Sequence, residues 1–116
     1  MTLFSGLSAF PLTPTDNHGR LMPDVMAQHL ERLGLAGVNS VGLLGSTGSY
    51  AYLSPEERKR TVRVAADALG GRVPLIVGVG ALRTDEAEGL ARDAVEAGAN
   101  GLLLAPVSYQ KLTEEE

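Results

Sequence analysis

The sequence predicts an α/β fold, the amino-terminal half of a (β/α)8 barrel, and three observations predict it. Short apolar runs alternate with helical patterns, a rhythm that requires parallel strands joined by right-handed crossovers. A five-residue segment recurs: Ala36-Gly37-Val38-Asn39-Ser40 returns as Ala97-Gly98-Ala99-Asn100-Gly101, and an apolar strand follows each copy. The two copies stand two βα units apart, each unit about 30 residues long. The chain closes on Thr113-Glu114-Glu115-Glu116, a capping box that opens a helix. Four strands, three helices and the start of a fourth make half of a barrel that takes about 250 residues in full. Repeated βα units alone also admit a doubly wound sheet, and the chemistry of the loops selects the barrel. Residues 1–116 are therefore expected to be one partial barrel domain, truncated at the start of its fourth helix, with unpaired sheet edges along which it self-associates.

The elements follow in order. The first strand is expected at about Gly6–Leu12. The first helix, Pro23–Leu35, carries Val25, Met26, His29, Leu30 and Leu33 at three-to-four spacing, one apolar stripe. The second strand, Ser40–Leu44, has the residue types of a strand buried on both faces. A second helix, Pro55–Leu69, starts with Ser54 as cap, Pro55 at its first position and Glu57 three residues after the cap. It ends at Gly70-Gly71, where a left-handed cap needs no side chain. The third strand spans Pro74–Val79. The third helix, Asp85–Ala97, takes Thr84 as cap, places Asp85 and Glu86 at the positive end of its dipole, and closes at Gly98. Gly101–Ala105 is the fourth strand. In the repeated segments glycine terminates a helix and asparagine makes the tight turn into the next strand.

Composition narrows the function. The chain has 44% hydrophobic and 21% charged residues and a net charge of −4. It is globular in type and lacks the basic clusters of a nucleic-acid binder. Arg58-Lys59-Arg60 follows Glu56-Glu57 on a helix and is expected as a solvated face with helix-stabilising charge pairs. With no cysteine there is no disulfide or thiolate site. His18 and His29 have no acidic cluster beside them, so no metal is expected. No apolar run is long enough to span a membrane, no signal peptide opens the chain, and a cytoplasmic enzyme fits.

Candidate chemistry gathers where the strands end, the edge at which parallel α/β folds bind ligands. Those ends are Thr13-Pro14, Gly45-Ser46-Thr47-Gly48-Ser49-Tyr50, Gly78-Val79-Gly80 and Pro106-Val107-Ser108-Tyr109. Small residues and hydroxyls collect there and charge is absent. In Gly45-Ser46-Thr47-Gly48 the glycines remove bulk and expose backbone N–H groups beside two hydroxyls, donors suited to a carboxylate or phosphate. An ordinary strand-to-helix turn has the same local sequence. The run from Gly78 to Arg83 lacks the third glycine of a dinucleotide fingerprint, and its glycines are expected to let the backbone pass close to the site. Tyr50 and Tyr52 either line the mouth of the site or pack on the second helix, with packing expected of Tyr52.

These pieces, in their order, resemble the dihydrodipicolinate synthase / N-acetylneuraminate lyase family of pyruvate-dependent class I aldolases. The matching stretches are SAFPLTPTDNHGRL, GSTGS followed by YLSPEER, PLIVGVGALRTDEA, and EAGANGLLLAP leading to SYQKLTEEE, together spanning essentially the whole chain. The resemblance implies a (β/α)8 barrel, usually a homotetramer, that binds pyruvate or a related 2-oxo acid as a Schiff base, with no metal or organic cofactor. By position it makes Ser46 a carboxylate ligand and relay hydroxyl, Thr47 the second carboxylate ligand, and Gly48 part of the substrate loop. Ser49 stands where many members carry Glu. Ser108 stands where synthases carry a tyrosine that reaches a neighbouring subunit; the adjacent Tyr109 either takes its place as the catalytic candidate or packs on the surface at a subunit contact. The Schiff-base lysine is expected beyond residue 116, because Lys59 lies on the second helix and Lys111 in the following loop. The competing expectation is a non-catalytic half-barrel that acts as an assembly module.

Overall fold

Branched aliphatic residues dominate the expected strands, and each apolar run collapses into one parallel sheet with its helices along one face. The computed structural model describes residues 3–106. Ser108, Tyr109, Lys111 and the Thr113–Glu116 capping box lie outside the described residues. Four strands, β1 (Ser8–Ala9), β2 (Ser40–Leu43), β3 (Leu75–Gly78) and β4 (Gly101–Leu103), form a single sheet in the order β1-β2-β3-β4. Every neighbouring pair is parallel, with Ser8 opposite Ser40, Val41 opposite Leu75 and Ile76 opposite Gly101. Helices α1 (Pro23–Leu35), α2 (Pro55–Leu69) and α3 (Thr84–Ala97) pack side by side in chain order. A doubly wound sheet reverses its strand order at a switch point. This sheet never reverses, and the arrangement is the first half of a (β/α)8 barrel.

The sheet has two unlike faces. Val41, Leu43, Leu75 and Val77 join Met26, Leu30, Val62, Ala65, Leu69, Leu90 and Ala94 in the core beneath the helices. Because side chains alternate along a strand, Gly42, Ile76 and Gly101 point the other way. Phe10 shares that second face, its ring lying against Gly42 and Gly45 where any Cβ would collide with it or crowd it.

Several elements differ from expectation for local reasons. Strand β1 is only two residues long, since Pro11 has no N–H for the ladder and Gly6 enters with φ +85°. Leu44 takes φ +58° and ends β2 one residue early. In α1 only Met26 and Leu30 of the stripe are buried; Val25 is 42% exposed and His29 is exposed, because α2 covers one side of the helix only. Thr84 is not the cap of α3 but its first helical residue, and Arg83 precedes it with no side-chain cap. The Arg83 guanidinium instead grips the Asp85 carboxylate at 2.8 and 3.0 Å. Helix α2 starts as expected, with the Glu57 N–H donating to Ser54 Oγ at 3.2 Å. The Glu57 carboxylate, however, turns away from the cap and accepts from the Leu21 N–H at 2.9 Å.

The repeated segments do the same work twice. Gly37 and Gly98 both take positive φ and close the helices before them. The Asn39 side chain accepts from the Leu7 N–H at 2.8 Å while its own N–H donates to the Leu7 carbonyl. Asn100 makes the same pair of bonds with Leu75, at 2.9 and 2.7 Å. Each asparagine thus pins the register of the strand it opens against the strand before it.

Candidate functional site

A strand that ends on a left-handed residue must turn sharply, and Leu44 does so into Gly45-Ser46-Thr47-Gly48. The Gly48 N–H donates to the Gly45 carbonyl at 3.0 Å and the Ser49 N–H to the Ser46 carbonyl at 3.1 Å. Two successive turns result, closed by Ser49 at φ +57° and followed by a single 3-10 turn, Tyr50–Tyr52. Gly48 is buried against the backbone of Leu44 and the Thr13 hydroxyl, where a Cβ would sit 3.1 and 3.2 Å from them. Its amide is engaged within the turn, so the donors the loop presents outward are fewer than its glycines suggest. They are Ser46 and Thr47, both exposed beyond the carboxyl end of β2, and neither hydroxyl has a hydrogen-bond partner among the described residues.

Thr13, at the exit of β1, adds a third hydroxyl beside this turn. Its Oγ1 is buried and has no partner among the described residues. On the other side lie Gly78 and Gly80. A Cβ at Gly78 would strike the Leu44 carbonyl, and one at Gly80 would meet the Ala105 carbonyl at 3.3 Å and the Tyr50 ring at 3.5 Å. Both glycines therefore sit where neighbouring backbone passes too close for a side chain or crowds one.

Arg58 departs most from expectation. It is not part of a solvated face: it is 7% exposed, and its guanidinium donates to the carbonyls of Gly80 at 2.9 Å and Gly78 at 3.0 Å. The group lies 5.2 Å from the centre of the Tyr50 ring. Burial lowers its pKa from the ordinary arginine value and Tyr50 raises it, which leaves an arginine charged. A signal for this existed in the helical spacing, since Arg58, Thr61, Val62, Ala65 and Leu69 form the buried stripe of α2. Lys59 also looks away from its own helix, pairing with Asp93 and Glu96 of α3 at 3.6 and 3.5 Å. Only Arg60 keeps the expected pairing along the helix, with Glu57 at 3.8 Å.

Tyr50 packs against Arg58 and Gly80, whereas Tyr52 is 88% exposed and does not pack on α2. Both border a cleft of about 740 Å³ between the 3-10 turn and α3. Among the described residues no group of His, Asp and Glu is arranged to hold a metal, and no helix is long and apolar enough to cross a membrane.

Known proteins share this arrangement. A model of the dihydrodipicolinate synthetase family matches residues 3–116. The 4-hydroxy-tetrahydrodipicolinate synthase of Thermus thermophilus is 39% identical over 105 residues, 90% of this chain and 35% of that protein. A dihydrodipicolinate synthase structure from Agrobacterium tumefaciens superposes with a TM-score of 0.93 at 57% identity, over 97% of this chain and 38% of its own. A prophage protein of the dihydrodipicolinic acid synthase family from E. coli K12, solved in complex with pyruvate, superposes with a TM-score of 0.90 at 34% identity. That match covers 98% of this chain and 38% of the prophage protein.

Proposed function

The chain belongs to the dihydrodipicolinate synthetase family, and from that premise we propose that it carries the carboxylate-binding part of a Schiff-base aldolase or lyase acting on pyruvate or a similar 2-oxo acid. The observation that carries this reading is the exposed hydroxyl pair, Ser46 and Thr47, at the carboxyl end of β2 on a rim of small uncharged residues. Two hydroxyl donors fit the two oxygens of one carboxylate, and hydrogen bonds to a charged acceptor are the strong ones.

With the carboxylate so held, the 2-oxo carbon faces a lysine amine supplied outside this chain. The amine adds to the carbonyl carbon and water leaves, giving an iminium that withdraws electrons far better than the ketone. Loss of a proton, or cleavage of the bond one carbon away, then yields an enamine that the iminium stabilises. Ser46 serves as the relay hydroxyl, moving protons to and from the carbinolamine oxygen with Tyr109 as its partner. Lys59 does not suit the nucleophile's role, being paired with two carboxylates on the outer helices. The reading carries with it a homo-oligomer, and it leaves the aldehyde partner to residues outside this chain.

Borohydride reduction in the presence of pyruvate tests it. The intact protein that contains this chain should gain one pyruvyl adduct on a single lysine, and the 116-residue chain alone should gain none. An intact protein that traps no adduct overturns the reading.

A further inference from the structure

Arg58 brings together two features that the hydroxyl pair does not explain, a buried cation without a carboxylate and a strand end rich in glycine. We propose that Arg58 is a positioning residue for the Ser46–Thr47 turn, holding by their carbonyls Gly78 and Gly80, the two residues against which the ends of that turn pack. The assignment rests on the proposed role of Ser46 and Thr47 in binding a 2-oxo acid.

The geometry is a closed set of contacts. The turn begins at Leu44, whose carbonyl lies so close to Gly78 that no Cβ fits between them. It ends at Tyr50, whose ring packs on Gly80. The guanidinium spans the same two glycines, one nitrogen to each carbonyl, and its face lies near the Tyr50 ring. Between these anchors stand only Gly45 to Ser49, bounded by left-handed residues at 44 and 49. A shift of Gly78 therefore passes to the start of the turn through backbone contact, and a shift of Gly80 reaches its end through the Tyr50 ring, which the guanidinium also faces.

The chemistry also asks for arginine. Burying a guanidinium without a counter-charge is costly, and an aliphatic side chain would fill the space under α2 at lower cost. The planar fork gives each carbonyl a nitrogen of its own, whereas an ammonium must serve both from one nitrogen on a flexible stem. Asp93, which borders the same cleft, is engaged by Lys59. The bonds to Gly78 and Gly80 are thus what the buried charge is kept for.

Arg58→Met and Arg58→Lys in the intact protein provide the test, with two readouts. Amide hydrogen exchange across residues 44–50 should speed up by about tenfold in R58M while β2 and β3 keep their protection. The KM for pyruvate should rise by about tenfold, with kcat changing less, because a misplaced turn weakens carboxylate binding. R58K should lie between wild type and R58M on both measures. A purely structural role lowers the melting temperature and moves neither readout, so wild-type exchange across the turn, or an unchanged KM, overturns the proposal. Should R58M fail to fold, R58K decides by the same two measurements. A wild-type protein that binds no pyruvate overturns the oxo-acid reading, whereas the exchange experiment still passes judgement on Arg58.

Discussion

Thr47 and Asp16 show how much single side chains decide here. Thr47→Val keeps the shape of the side chain and removes its donor. If the hydroxyl binds a carboxylate, losing it forfeits a charge-assisted hydrogen bond of about 1.5–3 kcal/mol, a rise in the pyruvate KM of roughly 10- to 100-fold. Steady-state kinetics of the intact protein measure it, and a KM within twofold of wild type would remove Thr47 from the site. Asp16, three residues after Thr13, is fully exposed. Its carboxylate accepts from the N–H groups of Arg20 and His18, which hold its pKa below the usual aspartate value. Because the folded pKa is the lower one, its contribution to stability is complete above the unfolded value and disappears as pH falls through the folded value. The stability gap between wild type and Asp16→Asn should therefore shrink from neutral pH to about pH 2 in urea titrations. A gap that stays constant across that range contradicts the assignment. The Ser46–Thr47 turn was legible in sequence because its glycines, its hydroxyls and the bonds that close it all lie within a few residues. Arg58 was harder to place, since its partners Gly78 and Gly80 lie 20 and 22 residues away and meet it only once α2 lies over β3.

At the scale of elements, boundaries set by local chemistry are legible and those set by neighbours are not. Ser54, Pro55 and Gly70 act within one turn of their own helix, and α2 begins and ends where they indicate. The exposure of Val25 depends instead on which helices flank α1, which its own periodicity cannot state. The repeated asparagines lie between these cases: the repeat was visible, but the bond each makes across to the preceding strand belongs to the sheet. The glycines of adjacent strands offer a discriminating experiment. An added methyl at Gly42 meets the ring of Phe10, a side chain 44% exposed and able to swing aside. At Gly78 it meets the Leu44 carbonyl, a backbone atom that moves only with the chain on either side of it. Gly42→Ala should therefore cost less than about 1 kcal/mol and Gly78→Ala about 3 kcal/mol or more. Urea midpoints of the two variants compare them directly, and equal losses would mean that backbone contact at Gly78 constrains nothing.

The whole molecule presents a sheet with its helices on one side. The helices shield Val41, Leu43, Leu75 and Val77, while on the opposite face Gly42 and Ile76 are buried too and Phe10, lying against Gly42, is 44% exposed. Phe4, Leu7, Leu102 and Leu104 are exposed large hydrophobics as well. Strands β1 and β4 each have an outer edge with no partner strand among the described residues. Unpaired parallel edges beside exposed apolar side chains favour association, because pairing satisfies backbone groups and removes apolar surface in one step. The order β1-β2-β3-β4 makes the two edges complementary in direction, so β4 of one chain can continue onto β1 of another. The 116-residue polypeptide should accordingly scatter light as a dimer or larger species at micromolar concentration. Charge on the β1 edge should oppose this: Leu7→Lys places an ammonium beside the unpaired edge and should shift the population towards monomer. A well-dispersed monomer of the unaltered polypeptide, with the secondary structure described, would show that the exposed side chains and edges are tolerated in water.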